Sequence, residues 1–196
     1  MLITIEGLDG AGKTTLIAGL ARALEERGEA VLVLREPGGV EVSERIRDLL
    51  ADPGLEIDPR AEALLYAAAR AQLVAEELRP LLEQGTTVLL DRFVDSSLAY
   101  QGAGRGLGVK EIRALNAFGT GGLEPDRTLL LRIDPAAGLA RIADRPADRL
   151  EQAGDEFFAT VARAYDELAA AEPERFAVID AAQPPDAVLR DALDAV

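Results

Sequence analysis

The first chemistry the chain offers is phosphate binding. Gly7, Leu8, Asp9, Gly10, Ala11, Gly12, Lys13 and Thr14 fit the spacing G-x-x-x-x-G-K-[ST], and Thr15 adds a second hydroxyl. The glycines let backbone N–H groups converge on phosphate oxygens, the lysine reaches the outer phosphates, and the Thr14 hydroxyl can ligate magnesium. A chance glycine-rich turn with a solvated lysine would read the same in isolation. The flanks argue against it, because the strand-like run "LITI" precedes the loop and a helical pattern follows, which is the context such a loop needs. The loop implies a bound triphosphate and leaves the second substrate open.

Asp91 ends the apolar run "TTVLLD", where a carboxylate can hold magnesium or its waters, although aspartates are also common at strand ends. Asp9 puts a negative charge inside the phosphate loop itself, and its ordinary alternative is a turn-favouring residue. A guanine-reading N-K-x-D segment is absent; the single asparagine, Asn116, lies in "LNAFG". GTPase-like switches are therefore disfavoured.

Positioning these groups requires a frame, and alternation supplies one. Strand-like segments at 1–7, 29–36, 86–91, 127–134 and from Phe176 are separated by helical patterns at 13–28, 42–50, 60–83, 110–118, 135–143, 155–171 and 186–196. Pro80 marks a kink or a junction in the longest of these. Such alternation predicts an α/β fold, a five-stranded parallel sheet flanked by helices, with ligands at the carboxyl ends of the strands. No repeat or linker interrupts it, so one domain over 1–196 is expected.

Composition narrows the classes. The chain has 196 residues, 48% of them hydrophobic, enough for one substantial core. No apolar stretch approaches the roughly 20 residues of a membrane span, and no leader is visible, so a cytoplasmic protein without membrane contact is expected. With 35 acidic against 21 basic residues the formal charge is -14, which disfavours nucleic acid as a partner. Cysteine and histidine are both absent, which excludes disulfides, thiolate or imidazole metal sites and a His-dependent triad.

The acceptor is indicated by residues outside the loop. "REPGG" at 35–39, "LLYAAAR" at 64–70, "DRFVDSSLAYQG" at 91–102 and "DRLEQ" at 148–152 follow "EGLDGAGKTT" in that order. Together they closely resemble bacterial thymidylate kinase, over essentially the whole chain, and "DRFVDSSLAYQG" is far more specific than the phosphate loop. The resemblance implies a P-loop NTPase fold of the nucleoside monophosphate kinase type with a short lid at about 141–153. It also implies ATP and dTMP as substrates, Mg2+ as cofactor and a homodimer.

Position by position, the resemblance makes Arg92 the ligand of the acceptor phosphate, where a planar guanidinium fork gives bidentate contacts. On its own, Arg92 would as readily pair with Asp95 on a surface. Tyr66 takes the place of the family's aromatic that stacks on thymine, usually a phenylalanine, and Arg70, four residues on, reads the base edge. An aromatic and an arginine on an alanine-rich helix would otherwise be core and rim. Gln101 and Ser97 contact the base, Tyr100 closes on the sugar where a ribose 2'-OH would project, Asp9 meets the acceptor sugar or phosphate, and Glu36 and Arg47 flank the site. "SSLAYQG" also reads as a helix with a serine N-cap and a glycine C-cap. Thymine differs from uracil by one methyl group, worth only about 1–3 kcal/mol, so leakage to dUMP is expected.

Some family members carry a basic residue inside the phosphate loop; here that position is Gly10. The resemblance moves the catalytic cations to the lid, where Arg141, Arg145 and Arg149 lie, with Arg149 of "DRLEQ" expected to neutralise the transferring phosphoryl. Phosphoryl transfer needs alignment and charge stabilisation above all. An acceptor phosphate with a second pKa near 6 is already anionic at neutral pH, so no general base is required. Two rival readings are a deoxynucleoside kinase, which would need a base near a 5'-OH, and a non-enzymatic nucleotide-dependent switch, which leaves Tyr66, Arg70, Arg92 and Gln101 without purpose.

Overall fold

The computed structural model describes residues 1–142 and 149–196. Among them, strands β1 (Leu2–Gly7), β2 (Val31–Arg35), β3 (Thr87–Asp91), β4 (Arg127–Arg132) and β5 (Phe176–Asp180) form one sheet in the order β2-β3-β1-β4-β5. Every pairing is parallel. The order reverses beside β1, so the loop after β1 opens at the switch point where ligands of open α/β sheets bind. Both faces of the central strands β1, β3 and β4 are covered, as parallel pairing favours, while the edge strands leave Leu32, Val33 and Val178 exposed. Leu2, Val88, Leu90 and Phe93 pack into one core cluster while Ile3, Ile5 and Leu89 pack into the other. That division follows the two-residue period of β1 and β3.

The helices are α1 (Lys13–Glu26), α2 (Glu41–Ala51), α3 (Pro59–Leu73), α4 (Arg79–Glu83), α5 (Val94–Ser97), α6 (Val109–Thr120), α7 (Pro135–Ala140), α8 (Asp155–Ala171) and α9 (Pro185–Leu193). Local chemistry explains several starts. Asp58 accepts from the Arg60 N–H ahead of α3 and Asp134 from the Ala137 N–H ahead of α7, each followed by a proline at the first helical position. The long helical pattern is realised as α3 and α4 joined by a π-helical turn, Val74–Leu78, in which the Arg79 N–H reaches back to the Val74 carbonyl. The wider turn accommodates Pro80, whose missing N–H cannot continue an α-helical ladder.

"SSLAYQG" departs from expectation. Neither serine caps a helix: α5 begins after Phe93 without a side-chain cap, and a second π-helical segment, Leu98–Gly104, continues from it. The serines instead face inward as ligands of buried charges.

Candidate active site

β1 delivers its chain end into the phosphate loop, and α1 starts at Lys13. The cap residue, Gly12, has left-handed backbone angles (φ 95, ψ 20) and no side chain to offer. A capping serine or aspartate would take the first helical N–H groups; glycine leaves those of Lys13, Thr14 and Thr15 to an external anion. Lys13 is buried, with Nζ donating to the carbonyls of Gly7 (3.2 Å) and Leu8 (3.0 Å) and lying 3.8 Å from Asp9. Burial and the neighbouring Arg92 lower its ammonium to about 8, against the pull of Asp9, Asp91 and Glu6. Thr14 is exposed at the helix start, and Asp91 Oδ1 is buried without a hydrogen-bond partner among the described residues.

At Gly10 (φ 78) a Cβ would lie 2.0 Å from the carbonyl oxygen of Gly138, and a Cβ on Gly138 would lie 2.8 Å from that of Asp9. The loop backbone thus rests directly on the backbone of α7. Arg141, just past α7, donates to the carbonyls of Gly10 (3.3 Å) and Ala181 (3.2 Å), tying the loop to the end of β5.

Arg92 follows β3 with φ 69, a left-handed backbone that costs a side-chain-bearing residue about 1–3 kcal/mol. Glu6 holds the segment in place. Its wholly buried carboxylate accepts the N–H groups of Phe93 (2.7 Å) and Ser96 (3.2 Å), the Ser96 hydroxyl (2.6 Å) and the Tyr165 hydroxyl (2.7 Å). Burial, with Asp95 nearby, raises the carboxyl above its usual range despite Arg92 and these donors. From this base the Arg92 guanidinium donates to Gly7 O and Ser96 Oγ (both 3.1 Å) and to Asp9 Oδ1 (2.7 Å), 5.2 Å from the Tyr100 ring centre. Asp95 does not pair with it. Arg175 holds Asp95 instead, through contacts of 2.6 and 2.9 Å.

Beside the loop lies a cleft of about 150 Å³, open to solvent at its mouth. Arg70 forms its inner wall at 2% exposure. Nε donates to Glu36 (2.6 Å), Nη1 to Ser97 Oγ (2.9 Å) and to Asn116 Oδ1, and Nη2 to the Phe93 carbonyl (2.9 Å). A guanidinium carries five N–H groups. These contacts take four, leaving one on Nη2. Glu36 is also buried; its Oε1 has no hydrogen-bond partner among the described residues, and burial pushes the carboxyl up to about 7 against the pull of Arg70. Gln101 donates Nε2 to Glu62 (2.9 Å), and Arg47 donates to the Pro37 carbonyl (3.0 Å). Tyr100 packs edge-on against Phe157 and Tyr165.

Arg149 lies on this acceptor side of the cleft. It contacts Glu62 at 2.7 Å and donates to the Leu50 carbonyl at 3.0 Å. Arg145 lies outside the described residues. Among the described residues, the lid cation beside the loop is Arg141.

Residues 5–192 match the family model described as thymidylate kinase. The chain belongs to the thymidylate kinase family. It is 54% identical to the thymidylate kinase of Deinococcus radiodurans over 95% of this chain and 91% of that one. With that of Lactobacillus delbrueckii subsp. bulgaricus the figure is 52%, over 92% and 88%. The crystal structure of thymidylate kinase from Ehrlichia chaffeensis superposes with a TM-score of 0.81 at 31% identity, covering 99% of this chain and 97% of that one. The reaction is the phosphorylation of dTMP to dTDP.

In thymidylate kinase terms, Asp9, Glu36, Arg47, Tyr66, Arg70, Arg92, Ser97, Tyr100 and Gln101, expected from sequence at the acceptor site, all line the one cleft. Lys13 lies beside it, 3.8 Å from Asp9. Sequence reasoning missed the groups that hold them: Glu6, Glu62, Ser96 and Asn116. Glu6 left a signal, since an acidic residue within a buried strand must find partners. The others left none that a single sequence displays.

Proposed function

We propose that ATP binds with its phosphates on residues 7–15 and dTMP fills the cleft, so that the acceptor phosphate meets Arg92 beside the donor loop. The observation that carries this reading is the Asp9–Arg92 contact of 2.7 Å, which joins the donor loop to the acceptor wall at one point. Arg92 presents its fork to the acceptor phosphate and Asp9 meets the sugar or the phosphate. Tyr66 stacks on thymine, while Arg70, Ser97 and Gln101 read the base edge. Tyr100 excludes a 2'-OH, and Glu36 and Arg47 complete the wall. Lys13, Arg92 and Arg141 supply positive charge around the transferring group, and Arg149 joins them on leaving Glu62. No side chain needs to remove a proton from an acceptor already anionic at neutral pH.

Among the described residues no three carboxylates gather into a metal cage. The buried, unpartnered Asp91 Oδ1 and the exposed Thr14 hydroxyl fit a magnesium ion that arrives with the triphosphate. Such an ion neutralises phosphate charge. We further propose a single domain working in the cytoplasm as a homodimer. In support of the dimer, Val42 and Leu49 of α2, Leu64 of α3 and Phe118 of α6 are exposed on helices that pack side by side, Phe118 at 90%. No described helix is long and apolar enough to cross a membrane.

The test is ADP production with a panel of acceptors. Strong stimulation by dTMP, weak by dUMP and little by thymidine or AMP is expected. Equal turnover of thymidine and dTMP would favour the deoxynucleoside kinase instead.

A further inference from the structure

Glu62 enters the reaction as described only as the group that Arg149 leaves, yet it is wholly buried on α3 and gathers three donors from two segments of chain. Gln101 Nε2 reaches Oε1 at 2.9 Å, Arg105 reaches both oxygens at 3.3 and 3.2 Å, and Arg149 reaches Oε2 at 2.7 Å. Burial would push this carboxyl up; the hydrogen bonds of Arg105, Gln101 and Arg149 outweigh it and hold it below the usual range. The group is thus a carboxylate, and a carboxylate only accepts.

That fact decides how Gln101 stands. An amide can turn either end to its neighbour, but against an ionised carboxylate the NH2 end must face inward. Gln101 lines the cleft at 2% exposure, so its carbonyl oxygen is the end left for a ligand. On the same wall Arg70 retains one N–H, since Glu36, Ser97, Asn116 and Phe93 take the rest. The wall therefore shows one donor and one acceptor. A 4-keto pyrimidine offers the complement, a carbonyl at C4 and an N–H at N3. A 4-amino pyrimidine offers the reverse at both atoms and leaves buried polar groups unpaired.

We propose that Glu62 is a specificity-determining positioning residue: by orienting the Gln101 amide it sets the cleft for a keto pyrimidine monophosphate against an amino one. This rests on the reading that Gln101 and Arg70 face the base.

The test measures dissociation constants of dTMP and dCMP, with kcat for dTMP, in the full-length protein. In Glu62→Gln the neighbour can donate as well as accept, so the Gln101 amide is free to turn, and the preference for dTMP over dCMP falls about tenfold or more. The dTMP constant rises by a larger factor than kcat at saturation changes. Glu62→Asp, still an acceptor only, retains more of the preference than Glu62→Gln does. Arg105→Met, which removes a partner of the same carboxylate without touching Gln101, lowers thermal stability and leaves the preference intact. Should Glu62→Gln not fold, the double variant Glu62→Met with Arg105→Met removes the Glu62–Arg105 pair together, leaving only Arg149 without its carboxylate, and must show the same fall. An unchanged preference in Glu62→Gln or the double variant overturns the proposal, as does an equal fall in Arg105→Met. If wild type itself binds dCMP as well as dTMP, the base-reading assignment fails rather than the role of Glu62.

Discussion

Replacing Glu36 with glutamine provides a quantitative test of the buried pair behind the cleft. In the unfolded chain this carboxyl titrates near its ordinary 4.5; in the native protein burial raises it to about 7 even with Arg70 alongside. Between those two values the native state holds a proton that the unfolded state has lost. Unfolding therefore becomes easier as pH rises through that window, and the contribution is constant above it. A separation of roughly 2.5 pH units at about 1.36 kcal/mol each amounts to about 3 kcal/mol. Glutamine carries no titrating proton, so the stability of Glu36→Gln minus that of wild type should climb by about 3 kcal/mol from pH 4.5 to pH 7.5 and then level off. The height of the curve reports what the neutral amide costs Arg70, while its slope reports the carboxyl alone. Urea unfolding at half-unit pH intervals, with equal m-values as the control for two-state behaviour, measures both. A difference that stays flat, or falls with pH, would refute the claim that Glu36 is held protonated by its burial.

Other outcomes follow from the same geometry. Arg92→Lys keeps the charge but removes the fork, and loss of one charge-assisted hydrogen bond, about 1.5–3 kcal/mol, lowers kcat/KM for dTMP about 10- to 150-fold in initial-rate assays. Tyr100→Ala opens the cleft beside Arg92 and reduces the preference for dUMP over UMP about tenfold, a ratio that general loss of stability does not move. Arg149→Ala is expected to lower kcat more than it raises KM for dTMP. A raised KM with kcat unchanged would leave Arg149 as a partner of Glu62 alone.

How much of this was legible beforehand depended on the distance between partners along the chain. The phosphate loop is a local object, and its strand, turn and helix stand in consecutive residues, so both the motif and its frame could be read directly. The five strands were readable as apolar runs, but the order β2-β3-β1-β4-β5 is a matter of pairing between distant segments. Contacts within the site show the same limit. Arg92 has Asp95 three residues away, and local reasoning offered it as a partner; the fold gives Arg92 to Asp9 and Asp95 to Arg175, each about 80 residues apart. Glu62 and Asn116 belong to the site through neighbours roughly 40 residues away, and nothing in "RAEALL" or "LNAFG" displays them. The arginine in "DRLEQ" was assigned to the phosphoryl group by resemblance; its contact with the buried Glu62, far back along the chain, could not be read from its neighbours. The serines of "SSLAYQG" looked like caps because serine at a helix start usually is one; a buried glutamate and a buried arginine compete more strongly for them.

The contact between Gly10 and Gly138 bears on how such a site can change over generations. With backbone pressed on backbone, no side chain of any kind fits at position 10 unless α7 first withdraws. A lineage with this arrangement has no single-substitution route to a cation at position 10. It would have to move a helix first, at a cost in stability before any gain in rate.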